Sequence, residues 1–415
     1  MKFNLQALKQ KGFQRMGENL SSFPRFFLFS ETSFCLVFLL SFSFCSWFLH
    51  ETTYYLDIGA KFIASGQIPY RDFSLEHPPG AFFYFAVVYL FAGGWFAAVY
   101  PLLNWLSATL IFWRNQFFGL RKIFGPAILV FVSPYLLFRY DLLPAVLSYF
   151  SFTRLVSGKI LAAGLFLGLG IITKIYPIFF VPLFFIFVIF KNSAKTNFKK
   201  AAVFLGGIAA GLLIPAVLLF LIGGSETLTS CFKQIFVYHF SRGVQIESTW
   251  GGVFLLGHPF DFKNLLIVNF GSWNVLGFPE NVLALIPPVE LLALFLVYFF
   301  FALELKKSKE ESFPKESLLL KYLVLAVLIL LFFGKVFSPQ YLLWPLFFLL
   351  ELKKREDKKL SGSLHLYLLI ALLTFVAICF YGHLVEGALW LLIILNLRNV
   401  LVGILIFRTT KLRFA

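Results

Sequence analysis

The stretch from Tyr54 to Gly80, YYLDIGAKFIASGQIPYRDFSLEHPPG, gathers side chains able to do chemistry. It holds the carboxylates Asp57, Asp72 and Glu76, the cations Lys61 and Arg71, and His77. One carboxylate beside an acceptor hydroxyl can serve as a general base. Cations placed nearby can hold a phosphate and stabilise the charge that builds as it leaves. Four other short segments supply charge and polarity: Arg139-Tyr140-Asp141, Lys174 in TKIYP, HFSRGVQIES from His239 to Ser248, and GKVFSPQY, which carries Lys335 and ends at Tyr341. Taken singly, each charge could be an interfacial residue with its stem in lipid and its head in water. Together they suggest one site.

The elements that must position them are membrane helices. Of 415 residues, 60% are hydrophobic and 13% charged, with a mean hydropathy of +0.85. That balance excludes a soluble globular domain. The apolar runs are continuous and do not alternate, which favours helices over a barrel. At roughly 20 residues per crossing the chain has material for about 12 spans. A net charge of +16 reads as cytoplasmic loop charge and not as a nucleic-acid surface. The four cysteines show no metal or redox spacing, and no cleavable leader is expected.

Ions in hydrocarbon cost at least a few kcal/mol each, so the charged stretch belongs at a membrane face. Basic segments at the N-terminus, 114–122, 154–159, 191–200, 306–321, 353–359 and from 408 onward mark the cytoplasmic side. This gives an all-α polytopic membrane protein forming a single unit over 1–415, with both termini in the cytoplasm. The expected parts are a cytoplasmic N-terminus at 1–26, a first span at 27–49, a first outer loop over 50–94, and a second outer loop over 224–280. Counting crossings leaves 79–93 over, which predicts an interfacial helix within the first loop; one long tilted span is the alternative.

An outer-face site with one base and phosphate-gripping cations fits sugar transfer from a polyprenyl-phosphate carrier. A single base suffices for inversion at the anomeric carbon. The motifs also resemble the multi-spanning GT-C glycosyltransferases, in particular bacterial family 87, which includes polyprenyl-phosphate-mannose-dependent mannosyltransferases. The matching positions are Asp57, Gly66, Pro69, Tyr70, Asp72, Phe73, Glu76, Pro78 and Pro79, followed by RYDLLPA, TKIYPIFFVP, YHFSRGVQIES and FSPQYLLWP. His77 stands where the family commonly has Tyr. The resemblance covers about 50–350 and implies a GT-C-like bundle.

It also implies roles. Asp57 matches the family's early loop aspartate, expected to deprotonate the acceptor. Glu76 and Asp72 are the competing bases, or shape the loop by pairing with Arg71 or Lys61. Lys174 resembles the lysine near the donor phosphate, and Arg242 is the second phosphate candidate. Gln245 and Glu247 are placed for hydroxyl groups, His239 beside them, while Gln340 and Tyr341 line the pocket. Arg139 and Asp141 either meet substrate or brace a turn as an ion pair. Trp250 and Trp273 stack on sugars or anchor at the interface. A metal at His77, His239 and His258 is the minority reading, because no ligand spacing is diagnostic; no cofactor is expected. The implied partners are a polyprenyl-phosphate hexose, mannose by the resemblance, and a lipid or glycan acceptor. The rival readings are a lipid or sugar transporter, against which the lack of repeats speaks, and a ligase using a diphosphate carrier.

Overall fold

The computed structural model describes residues 46–115, 124–190, 194–307, 315–355 and 361–412. The N-terminus at 1–26 and most of the first span expected at 27–49 lie outside the described residues. Backbone amides cannot go unpaired in lipid, so continuous apolar sequence becomes helix. The chain accordingly folds as α1 (Ser46–Ile63), α2 (Pro79–Ala92), α3 (Phe96–Arg114), α4 (Phe124–Phe138), α5 (Leu142–Val156), α6 (Ile160–Thr173), α7 (Val181–Phe190) and α8 (Ala194–Ser241). After α9 (Thr249–Leu256), a hairpin pairs β1 (Leu266–Asn269) with β2 (Ser272–Val275) in antiparallel register, Val268 opposite Trp273. The remaining helices are α10 (Glu280–Lys307), α11 (Lys315–Phe333), α12 (Leu343–Arg355), α13 (Ser361–Cys379), α14 (Tyr381–Val385) and α15 (Leu389–Thr410).

Among the described residues six helices are long and apolar enough to cross a membrane, or up to seven if α4 and α5, bent by 113°, count as one broken span. The expected dozen is therefore too many. The fault lies in length: α6 has 14 residues and rises about 21 Å, short of a hydrocarbon core of about 30 Å. Helix α12, with 13 residues, is shorter still. The second loop also begins later than expected. Helix α8 continues to Ser241 through a kink at Gly224, where φ is 75° and ψ is −174°, a conformation that glycine alone adopts without strain. Residues 79–92 do form a helix, α2, capped by Gly93; with α3 it makes one candidate span of 36 residues, in line with the long-span alternative to an interfacial helix.

The core is centred on α11, 83% buried over its apolar window, whereas α10 is 17% buried. Helices such as α10 and α8 carry exposed Leu291, Phe295 and Leu221, as expected where lipid and not water is the neighbour. Helices α6 and α8 approach each other closely. A Cβ on Gly164 or Gly168 would strike the backbone of α8, and one on Gly207 or Gly211 would strike that of α6. This is the small-residue packing that lets membrane helices approach.

The helix ends divide by charge. Arg154 closes α5 and Lys159 precedes α6; Lys199 and Lys200 lie in the first turns of α8; Lys315 opens α11; Lys353 to Arg355 close α12. The chemistry-bearing motifs occupy the opposite ends of these same helices.

Candidate functional site

At those opposite ends the motifs meet. The sharp bend between α4 and α5 turns Arg139, Tyr140 and Asp141 inward. Lys174 caps α6 in an extended conformation, φ −156° and ψ 135°, with Pro177 close behind to stop the helix. Pro339 starts the short 3-10 turn that delivers Gln340 and Tyr341. The first loop is stapled to α8: the carbonyl of Tyr70 accepts from Ser230 (2.8 Å) and Gln234 (2.8 Å), and the Leu75 amide donates to Gln234. Tyr70 itself is buried at a positive φ of 63°, and its hydroxyl donates to the His77 carbonyl at 2.6 Å. The loop is thus held where Glu76 and His77 reach inward.

The enclosed space is a cavity of about 890 Å³. Its wall includes Glu76, Arg139, Asp141, Lys174, His239, Arg242, Gln245, Glu247, Gln340 and Tyr341, ten of the residues singled out in the sequence. Lys174 Nζ lies 2.6 Å from Asp141 Oδ1, which also accepts from Trp344 Nε1 at 2.8 Å. The ammonium sits 4.6 Å from the Tyr140 ring centre and 5.1 Å from that of Tyr341, close enough for cation–π attraction. Arg242 donates to Ser272 Oγ at 2.8 Å and lies 5.9 Å from the Tyr238 ring. Glu76 accepts from Tyr54 at 2.8 Å and is 3.8 Å from His77 Nε2. Burial lowers the His77 pKa from its ordinary 6.5, so this ring is neutral at neutral pH.

Asp57, Asp72 and Arg71 do not reach the cavity. Asp57 forms an i,i+4 pair with Lys61 at 2.7 Å, their side chains 52% and 41% exposed. Position along the helix explains this: His50, Glu51, Tyr54 and Tyr55 line the cavity from the first part of α1, and Asp57 lies past them toward the helix end, tied to Lys61 one turn further on. Asp72 pairs with Arg71 at 2.9 Å and accepts from the Ile68 amide at 2.7 Å. Those two bonds, the guanidinium first, hold its carboxyl below the usual range. It shapes the loop.

The sequence reading missed Glu51, which pairs with Arg139 at 2.7 Å; Arg139 is an ion-paired group on the cavity wall. It also gave no role to Arg398, which is fully buried and donates to the backbone carbonyl of Glu247. Lys335, a candidate outer cation, instead donates to the carbonyls of Phe240 (3.1 Å) and Arg242 (2.6 Å) and so caps the end of α8. Trp273 lines the cavity, while Trp250 donates to the Phe333 carbonyl. His77 and His239 are at the wall but His258 is not, and among the described residues no three His, Cys, Asp or Glu side chains are grouped to hold a metal ion.

Five buried polar atoms on the wall lack partners: His77 Nε2, Tyr135 OH, Asp141 Oδ2, Arg242 Nε and Glu247 Oε2. Each such atom costs about 1–3 kcal/mol unless something bonds it, so the cavity suits a polar ligand. Compared with models of protein families and with curated protein sequences, the chain matches none.

Proposed function

We propose that this protein is an inverting glycosyltransferase of GT-C type, moving a hexose from a polyprenyl monophosphate to an acceptor hydroxyl. The observation that carries this reading is the convergence of five sequence-distant motifs on one cavity of about 890 Å³, lined by charged and aromatic side chains. Glu76 supplies the base. Its carboxylate is at the wall, its orientation is fixed by Tyr54, and Lys174 and Arg242 stand on the same wall for the phosphate. The acceptor oxygen attacks the anomeric carbon and its proton passes to Glu76. The bond from that carbon to the phosphate oxygen breaks, and its electron pair leaves with the polyprenyl phosphate.

The role expected of Asp57 passes to Glu76, because a base must be within reach of the proton it removes and Asp57 is paired outside the cavity. Mannose is the hexose that the family resemblance favours. The charge division along the helices supports an extracytoplasmic cavity, since basic ends stay in the cytoplasm. The test is transfer of labelled hexose from polyprenyl phosphate by the purified protein in liposomes. Glu76→Gln should abolish transfer. Movement of the lipid-linked sugar across the bilayer without any covalent transfer would replace this reading by a transporter.

A further inference from the structure

One arm of the cavity has no task in the reaction above. Segment 244–248 is clamped on both sides: Ile246 N donates to the Trp273 carbonyl (3.1 Å), Val275 N to the Val244 carbonyl (2.8 Å), and Gln245 N to the Lys335 carbonyl (2.9 Å). Ser248 then caps α9, accepting from Gly251 N. Glu247 is held at the centre, 4% exposed. Its Oε1 accepts from Tyr381 OH at 2.8 Å, and its Oε2, buried at the cavity wall, bonds nothing.

Behind it lies Arg398, 0% exposed. Its guanidinium binds the Glu247 carbonyl and Asn399 Oδ1, lies 3.9 Å from the Phe337 ring centre, and leaves Nη1 unpartnered. A buried carboxylate and a buried guanidinium, each rigidly braced and each with one free atom, select for charge. The Glu247 carboxylate repels phosphate, and Arg398 repels ammonium groups. What satisfies the free Oε2 acceptor at the wall, with a guanidinium behind it, is a neutral hydroxyl that donates a hydrogen bond to it.

We propose that Glu247, backed by Arg398, is the subsite for a hydroxyl of a neutral sugar ring and sets which sugar the protein accepts. This rests on the transfer reaction proposed above. The ring belongs either to the donor hexose or to a sugar acceptor, and the test separates the two. Glu247→Leu removes both carboxylate oxygens at similar volume, so nothing is left there to bond a ring hydroxyl.

The experiment measures kcat/KM with polyprenyl-phosphate mannose and its 2-, 3-, 4- and 6-deoxy forms as donors, and with octyl mannoside and its deoxy forms as acceptors. One deoxy position on one ring should cost the native protein about 10- to 100-fold, as a site left with unpaired polar groups does. Glu247→Leu should cost a similar factor with the parent sugar and show no further loss with that deoxy form. Tyr381→Phe, which only frees the other oxygen, should keep the native ranking of the deoxy series. Transfer that ignores every ring hydroxyl overturns this subsite alone, as does a Glu247→Leu protein still sensitive to the same deoxy position. No transfer from any donor overturns the subsite and the reaction together.

Discussion

Lys174 and Asp141 form the tightest ion pair on the cavity wall, and removing one partner separates structure from chemistry. Asp141 is 1% exposed and Lys174 15%, with 2.6 Å between them. Lys174→Met leaves the carboxylate buried with only the Trp344 bond. Breaking a buried pair in this way costs about 3–5 kcal/mol, about 3–6 °C in melting temperature for a chain of this length. Adding Asp141→Asn removes the stranded charge, so the double variant should recover most of that loss. Activity should not follow stability: without the ammonium the leaving phosphate loses a stabilising charge, and transfer should stay down about 10²–10³-fold. The assay is melting in detergent alongside labelled-hexose transfer in liposomes. A Lys174→Met protein melting like the native one would refute the burial argument. A double variant transferring at the native rate would refute the phosphate role.

Other outcomes follow from the same geometry. Asp57→Asn should keep transfer within about threefold of native, since the loss of an exposed i,i+4 pair is worth only a few tenths of a kcal/mol, whereas Glu76→Gln should lose about 10²–10⁴-fold as an absent general base does; the transfer assay decides both. Gly168→Leu, whose Cβ alone would strike the Ile208 carbonyl, should lower stability by about 1–3 kcal/mol or prevent folding through overpacking, read as melting temperature and expression in membranes. The His77 pKa lies below its ordinary 6.5 in the fold because the ring is buried. The unfolded chain therefore binds the proton first, and stability present above pH 6.5 is lost as pH falls through that value toward the folded one. His77→Gln should flatten this part of a melting-against-pH curve. Glu247 acts in the opposite sense: burial raises its pKa above 4.5, so its share of stability falls as pH rises through 4.5 and upward.

Much of the site was legible in the sequence because charge stands out against apolar surroundings. Arg139, Asp141, Lys174, Arg242 and Gln340 were each conspicuous as polar residues at the edge of an apolar run, and the fold brings them together. The bounds of α6, Ile160–Thr173, were readable from Lys159 and Lys174 on either side. Facing was not legible. The charged loop was taken to begin after the first span, so Glu51, Tyr54 and Tyr55 were never read as one helical face, and Asp57 was chosen over Glu76 without a direction to judge it by. The number of spans failed for a related reason. Apolarity is shared by residues facing lipid and by residues packed in the core, so short buried helices such as α12 look like crossings until their length is counted. The role of Arg398 was not legible because it braces a backbone carbonyl in a distant loop, and a backbone carbonyl carries no sequence signal.

The central claim is that the cavity holds a lipid-borne phosphate beside Glu76. The most direct measurement is an experimental structure of the protein with polyprenyl phosphate bound. The phosphate is expected within hydrogen-bonding reach of Lys174 or Arg242, with Glu76 open to the same space. A phosphate bound outside the wall formed by these residues, or a cavity that excludes the lipid at saturating concentration, would contradict it.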